Sequence, residues 1–155
     1  MGNNIIIRRA TVLDADRIHQ LIKAHSDKGL MLAKTPYKIF SNIQKFFVAE
    51  SNGEILGCVA LSVLWSDCAE ITSLAVDADH FGQGIGRMMV SECIADAKRL
   101  KINKIFALTY QEAFFEKLGF LKSSKDMFPR KLWRECLECP KLEVCDEKAY
   151  MLDIK

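Results

Sequence analysis

The sequence predicts an α/β fold: a single domain in which helices cover a mixed β-sheet. Short apolar runs of strand length alternate with segments whose apolar residues recur at helical spacing. The pair Asn52-Gly53 stands between two such apolar runs and is a strong hairpin signal. Further on, a turn with glycines at positions 82, 84 and 86 joins a strand to a helix. A chain of 155 residues is long enough to bury the core of one such domain.

Each predicted element rests on a local signal. Thr11 and Asp14 resemble a capping box, so a helix should start there, and its apolar pattern fades near His25. A second short helix ends at about Lys45, and a helix that starts after Gln111 is stopped by Gly119. Strands are predicted at 5–8, 46–50, 54–64, 70–76 and 104–109, a long helix from residue 85, and a last helix and strand in the tail, ending at 149–152. The order is β-α-α-β-β-β-α-β-α-β with a tail.

Composition excludes several classes of protein. Half of the residues are hydrophobic and 27% are charged, which is ordinary for a globular domain. The net charge of +2 gives no support for nucleic-acid binding through bulk electrostatics. The apolar runs are only as long as a strand, which is too short to span a membrane. The first residues lack the basic and apolar regions of a signal peptide. We therefore expect a cytoplasmic location, where the six cysteines are thiols or metal ligands rather than disulfides.

The turn with three glycines indicates a site for a phosphate-bearing ligand. Glycines let the backbone close around an anion, and the first turn of a helix offers unpaired N–H groups and a positive dipole end. A P-loop is excluded because Arg87 and Met88 follow Gly86 in place of Lys and Ser or Thr. A dinucleotide-binding fingerprint has the pattern Gly-x-Gly-x-x-Gly. It is excluded because the last position holds Arg87 if the pattern starts at Gly82, and Met89 if it starts at Gly84. A plain glycine-rich turn remains the alternative.

Two segments resemble a known family. Phe81–Gly86 resembles the diphosphate loop of the GNAT family of N-acetyltransferases, with the pattern Arg/Gln-x-x-Gly-x-Gly/Ala after a strand ending Leu-Ala-Val. Leu74-Ala75-Val76 matches that strand end, and Phe81 is the one departure from the loop pattern. Ala113–Phe120 is similar to the helix signature before the family's sixth strand. The resemblance implies a GNAT fold, with a central mixed, mostly antiparallel β-sheet flanked by helices, and acetyl-CoA as cosubstrate.

Within the family, the chain is similar to the amino-acid acetyltransferases of the N-acetylglutamate synthase group. The supporting stretches are 8–11, 29–32, 57–61, 69–71 and 106–109. This resemblance implies acetylation of the α-amine of a free amino acid, glutamate first, in arginine biosynthesis, and suggests a homodimer. Two alternatives stay open: a different acceptor, such as another small amine or a protein N-terminus, and a module that binds acetyl-CoA or senses metal without catalysis.

The resemblance also implies roles for individual residues. The backbone of the strand end would pair with the pantetheine arm and offer an N–H group to the oxyanion, while N–H groups of the glycine turn would hold the diphosphate. The implied cofactor-binding residues are Leu74, Ala75, Val76, Phe81, Gly82, Gln83, Gly84, Ile85, Gly86, Arg87 and Phe115. Phe81 removes a side-chain contact to the cofactor, and Phe115 stands where many members have a tyrosine that acts as the acid.

Catalysis and substrate binding need ionisable groups. Glu70 is the candidate base for the amine, directly or through a water, although a strand glutamate can also face solvent or pair with lysine. Tyr110 is the nearest candidate acid, or a packing residue. An amino-acid substrate brings carboxylates, which require Arg or Lys. Lys34 is the first candidate, with Arg8, Arg130 and Lys131 weaker, and each is otherwise a solvated surface charge.

The tail carries a possible metal motif. Cys136, Cys139 and Cys145 form C-x-x-C-x5-C, and thiolates at the first spacing can share one tetrahedral zinc ion. A labile disulfide or reduced thiols are the alternatives, and a bound zinc would be structural. We therefore expect one N-acetyltransferase domain over residues 1–155, with a cysteine-containing C-terminal segment at 130–155.

Overall fold

The computed structural model of the chain describes residues 4–123 and 148–154. Within these ranges, seven strands form one sheet in the order β1-β2-β3-β4-β5-β7-β6. The elements are β1 Ile6–Arg9, α1 Ala15–Ser26, α2 Pro36–Ser41, β2 Phe46–Ser51, β3 Glu54–Trp65, β4 Cys68–Val76, α3 Ile85–Arg99, β5 Lys104–Thr109, α4 Glu112–Lys117, β6 Leu121–Ser123 and β7 Lys148–Asp153. Short 3-10 turns cover Val12–Asp14, Ile43–Lys45 and Ala78–His80.

The sheet is mixed, as the sequence predicts. β1 pairs antiparallel with β2, and β2 with β3. β7 pairs antiparallel with both β5 and β6. β4 and β5 run parallel, as the long connection through α3 allows. The predicted α/β class and the mostly antiparallel sheet are both confirmed.

The chain divides into two compact units. The first comprises the residues up to Leu61 together with Ser73–Cys93, and the second comprises Ser62–Thr72 and the described residues from Ile94 onward. The core of the first unit is built by α1, α2 and the first strands, with Ile18, Ile39 and Val48 each 0% exposed. The core of the second unit contains Cys68, Phe106 and Ala149, packed with Leu64, Leu108 and Met151.

The predicted capping box starts the first helical segment. The Thr11 hydroxyl accepts the Leu13 N–H, and the Asp14 carboxylate accepts the Thr11 N–H at 2.8 Å. A 3-10 turn precedes α1 itself, which begins at Ala15. Ile18 and Ile22 are buried, which confirms the apolar face that the helical spacing predicts.

The predicted hairpin forms at Asn52-Gly53, and both residues have a positive φ, 53° and 80°. Shortly after the turn the β2–β3 register shifts, because Glu50 pairs with Ile55 whereas Ala49 pairs with Gly57. Leu56 is therefore an extra residue on β3, a β-bulge. The predicted last helix falls outside the described residues. None of the described helices is long and apolar enough to span a membrane.

Candidate functional site

The glycine loop, defined here as Asp77–Gly84, joins β4 to α3. It begins with the 3-10 turn and then presents Gly82 and Gly84, whose φ angles are 81° and 79°. Residues with a side chain rarely adopt such φ angles. A Cβ added at either position would meet no atom within 4 Å. The loop therefore needs glycine for its backbone conformation, not for space.

The loop leads directly into the N-terminus of α3. The Met88 N–H donates to the Gly84 carbonyl at 3.0 Å. The N–H groups of residues 85–87 thus precede the first helical bond, at the positive end of the helix dipole. Gly82 and Gly84 are exposed beside them. This arrangement is suited to an anion of the phosphate type.

The predicted cofactor residues at this junction differ in what they can offer a ligand. Ile85 and Ala75 are each 1% exposed, so their side chains belong to the core and only their backbone can serve a ligand. Arg87 and Gln83 are exposed. Phe81 is 60% exposed and meets the His25 ring edge-on, with 6.4 Å between ring centroids.

Gly57 is a positioning residue that the sequence analysis did not assign to the site. A Cβ there would lie 2.8 Å from Cε of Met89, 3.2 Å from the Ala75 carbonyl oxygen and 3.3 Å from Cγ2 of Ile85. The absence of a side chain lets β3 approach both β4 and the start of α3. An isolated glycine within an apolar strand pattern is the signal that could have found it.

The strand that leads to the loop is distorted at Ser73. Its φ of 55° lies in the left-handed region, which is unusual for a residue other than glycine. The Cys58 thiol donates to the Ser73 carbonyl, with 3.4 Å between sulfur and oxygen. Burial raises the pKa of Cys58 to about 12, so the thiol keeps its proton. The predicted pantetheine-pairing stretch, Leu74–Val76, follows this distortion directly.

Glu70 is buried in β4. It is 6% exposed and lies opposite Phe106 of β5 in the parallel pairing. The alternative of a solvent-facing strand glutamate is therefore wrong. A carboxylate among apolar neighbours is costly unless it is hydrogen-bonded, paired or used. Its role as the base stays a prediction.

The two aromatic candidates of the second unit differ. Tyr110 is half-buried directly after β5, and its role as the acid stays a prediction. Phe115 is 4% exposed and packs edge-on against Phe114 and Phe120, with centroid distances of 5.0 and 5.1 Å. Phe115 therefore packs within the core of this unit, and its assignment to cofactor binding stays a prediction.

The two basic candidates, Arg8 and Lys34, also differ in their surroundings. The Arg8 guanidinium donates to both oxygens of Asp14 at 2.8 and 3.0 Å, to Glu50 at 2.9 and 3.2 Å, and to the Arg9 carbonyl at 3.0 Å. These bonds use all five N–H donors of an arginine. Arg8 thus links β1 to β2 and to the 3-10 turn before α1, and its assignment to a substrate carboxylate stays a prediction. Lys34 lies half-buried before Thr35, the cap of α2, and stays a prediction.

The tail candidates lie outside the described residues. This applies to Cys136, Cys139 and Cys145, and to the weaker substrate candidates Arg130 and Lys131. Across the residues that the structure does describe, no group of three or more His, Cys, Asp or Glu side chains is arranged to hold a metal ion. A zinc site in the tail therefore stays a prediction.

Known proteins match both the sequence and the fold. An N-acetyltransferase of Chlorobaculum tepidum is 36% identical over 143 residues, which are 92% of either chain. An amino-acid acetyltransferase of Mycobacterium tuberculosis is 37% identical over 118 residues, 74% of this chain and 67% of the relative. A Mycobacterium tuberculosis protein whose structure was solved in complex with CoA and a second compound has a TM-score of 0.84 at 28% identity, over 97% of this chain and 99% of that one.

Other relatives are longer. An amino-acid acetyltransferase of Neisseria meningitidis is 31% identical over 127 residues, and the chain covers 29% of its length. The profile of the GNAT acetyltransferase family matches residues 16–120, which include α1 after its first residue, the glycine loop and α4. The chain is therefore an N-acetyltransferase of the GNAT family.

Proposed function

We propose that the protein transfers the acetyl group of acetyl-CoA to the α-amine of a free amino acid, with glutamate as the first candidate. The glycine loop is the observation that carries the proposal, because its two left-handed glycines and the N-terminus of α3 beyond it suit a diphosphate. The related Mycobacterium tuberculosis structure contains CoA, which is a diphosphate-bearing ligand. The relative named amino-acid acetyltransferase supports the acceptor class.

The loop would supply donors that need no side chain. The N–H groups of residues 82–87 would hold the diphosphate, and the backbone of Leu74–Val76 would pair with the pantetheine arm. One N–H group of that stretch would face the oxygen that becomes negative as the amine attacks the thioester carbonyl. An oxyanion donor of this kind contributes about 3–4 kcal/mol in other enzymes.

Glu70 would accept the proton of the amine. An α-amine is largely protonated at neutral pH and attacks only after it loses that proton. Glu70 would pass that first proton on to water. As the new C–N bond forms and the C–S bond breaks, the second amine proton would pass to the regenerated Glu70 carboxylate, and CoA would leave as a thiolate that takes a proton from water. The released thiol has a pKa of roughly 8.5, so it leaves as a thiolate without an obligatory acid. Tyr110 would serve where an acid assists.

The acceptor carboxylates require a cation. Lys34 is the candidate, since Arg8 has no donor left for a ligand. Its place before α2 puts it in the same unit as the glycine loop. A lysine at this position would favour amino acids with a second carboxylate over neutral ones.

An assay of CoA release tests the proposal. The protein is incubated with acetyl-CoA and a panel of free amino acids that includes glutamate, aspartate and glutamine. We expect saturable release with glutamate and loss of the glutamate preference in Lys34→Ala. Release with a different amine would keep the chemistry and reject glutamate. Tight CoA binding with no release for any acceptor would favour the non-catalytic module.

A further inference from the structure

Arg17 of α1 connects three elements that converge on the glycine loop. Its Nη2 forms an ion pair with Oδ2 of Asp77, the first residue of the loop. Its Nε donates to the Ile55 carbonyl of β3 at 3.1 Å. Asp77 in turn donates its own N–H to the neighbouring Leu56 carbonyl at 2.8 Å. We call these four residues the Arg17–Asp77 clamp.

The bulge in β3 makes the clamp possible. Leu56 is the extra residue between the Glu50–Ile55 and Ala49–Gly57 pairs, and bulges redirect the backbone groups beside them. The two carbonyls at the bulge, those of Ile55 and Leu56, are the ones that Arg17 and Asp77 use. Gly57, the next residue, is the point of close approach to β4 and α3.

Asp77 also shapes the start of the loop. Its Oδ1 accepts the Asp79 N–H at 2.9 Å, which caps the 3-10 turn Ala78–His80. That bond and the Arg17 guanidinium hold the pKa of the Asp77 carboxyl below its usual value. Nδ1 of His80 lies 3.8 Å from the same oxygen and is buried, with no hydrogen-bond partner among the described residues.

The negative charges of the glycine loop explain why an arginine pairs with Asp77. Asp77 and Asp79 precede Gly82 and Gly84 in the same loop, whose backbone is suited to an anion, and an unpaired carboxylate close to that backbone would disfavour a diphosphate. Arg17 supplies the opposite charge to Asp77, and its side chain is 31% exposed beside a 20% exposed partner. The pair is thus partly shielded from water, where charge–charge interactions are stronger than on the open surface.

We propose that the Arg17–Asp77 ion pair is a positioning device for acetyl-CoA. It fixes the exit of β4 so that the glycine loop holds its diphosphate-binding shape, and it neutralises Asp77, one of the two carboxylates that precede the glycines in the loop. This inference rests on the proposed function. Neither residue needs to touch the reacting atoms. The expected signature is a change in cofactor affinity, with little change in the chemical step.

The test is a double-mutant cycle read by direct binding. The dissociation constant for CoA is measured by calorimetry, without acceptor, for the wild type, Arg17→Met, Asp77→Asn and the double variant. Arg17→Met leaves an unpaired carboxylate, and we expect it to weaken CoA binding by roughly tenfold. Asp77→Asn should weaken it less, and the double variant should bind more tightly than Arg17→Met alone.

Two further measurements separate positioning from general stability. Arg17→Met should raise KM for acetyl-CoA while kcat at saturation stays near the wild-type value. Hydrogen exchange should accelerate in residues 77–87 and remain unchanged in β2. Lys23→Met is the matched control, because Lys23 pairs with Asp27 at 2.9 Å on the same helix in an exposed position. Arg17→Lys keeps the charge but removes the Ile55 bond, and should lie between Arg17→Met and the wild type.

The outcomes are distinguishable. If wild type binds CoA and Arg17→Met binds it equally well, the clamp inference fails and the proposed function stands. The same holds if Arg17→Met and the double variant are equally weak, because charge compensation would then play no part. If the wild type does not bind CoA, both the proposed function and the clamp inference are overturned.

Discussion

The thiol of Cys58 donates a hydrogen bond to the carbonyl of Ser73, the residue at which β4 leaves regular strand geometry. Cys58 is 0% exposed, so its thiol makes this bond out of contact with water. A strained backbone conformation persists only where its surroundings hold it in place. The Cys58 bond is one such restraint, immediately before the stretch proposed to pair with pantetheine.

Cys58→Ala should therefore weaken both the fold and the site. The variant removes this donor from the Ser73 carbonyl and opens a small cavity, for which we expect a loss of about 1–3 kcal/mol in the free energy of unfolding. Cys58→Ser keeps a donor and should lose less. Urea unfolding measures the cost, and kcat measures the effect on the strand. Equal stability of the alanine and serine variants would contradict a role for the bond.

The reaction rate of the thiols in the folded protein tests whether the described cysteines are buried and protonated. Burial raises the pKa of Cys68 to about 11, and the Cys58 thiol is still less acidic. Only the thiolate attacks a disulfide reagent. In a variant with Cys136, Cys139 and Cys145 replaced by serine, the remaining three cysteines, Cys58, Cys68 and Cys93, are buried. We expect no fast reaction with a chromogenic disulfide at pH 8, and three thiols per chain after denaturation.

A comparison of Gly84 with Gly53, which has a matching φ angle, separates the effect of backbone strain on stability from an effect on CoA binding. Gly84→Ala and Gly53→Ala both place a side chain at a φ near 80°, and neither new Cβ meets an atom within 4 Å. Both variants should lose about 1–2 kcal/mol of unfolding free energy through backbone strain. Gly84→Ala alone should also lose CoA affinity, measured by calorimetry. Equal affinities of the two variants would argue against the glycine loop as the diphosphate site.

The role of Glu70 is tested by a neutral isostere. Glu70→Gln should lower kcat by about 10²–10⁴-fold, the usual contribution of a general base, while CoA affinity is kept. Asp96→Asn is the matched control, since Asp96 is also 6% exposed but lies in the second half of α3. A similar loss of kcat in both variants would indicate an effect of burying an amide, not of removing the base.

Acid stability should depend on the Arg8–Asp14 pair. The hydrogen bond from Arg8 holds the pKa of Asp14 below its ordinary value of 3.8. The carboxylate therefore contributes stability that is fully present above the unfolded pKa and is lost as the pH falls through the lower, folded pKa. Asp14→Asn should be less stable than the wild type at pH 7 by about 1–2 kcal/mol, with a gap that narrows below pH 4. Urea unfolding at pH 7, 5 and 3 measures that gap, and a constant gap would contradict this origin.

The local signals predicted the elements well and the polar contacts poorly. The Asn52-Gly53 turn and the helix stop at Gly119 depend on a few adjacent residues, and both form as predicted, with Gly119 at a φ of 94°. Arg17 and Asp77 are 60 positions apart, so only the folded sheet brings them together. The bulge at Leu56 likewise depends on how β2 aligns with β3, which no short window of sequence contains.

The contacts of Arg8 and Phe115 could not be predicted from the sequence either. Residue type and family position suggested ligand contacts for both. The fold uses the Arg8 donors for two carboxylates and a carbonyl, and it surrounds the Phe115 ring with other aromatic rings. The Arg8 contacts depend on carboxylates in other elements, and the Phe115 packing depends on how the segment after α4 folds back with Phe120. Glu70 is the opposite case, since burial strengthens the interest of a residue chosen from sequence alone.

The donors of the glycine loop are peptide groups, and peptide groups do not titrate. A diphosphate gripped by backbone N–H groups at residues 82–87 would meet the same partial charges at pH 6 as at pH 9. Any dependence of acetyl transfer on pH within that range would then report on the acceptor amine and on side chains such as Glu70. We therefore expect CoA affinity to stay constant between pH 6 and pH 9. In the same range, kcat should change with the protonation of the acceptor amine and of side chains such as Glu70.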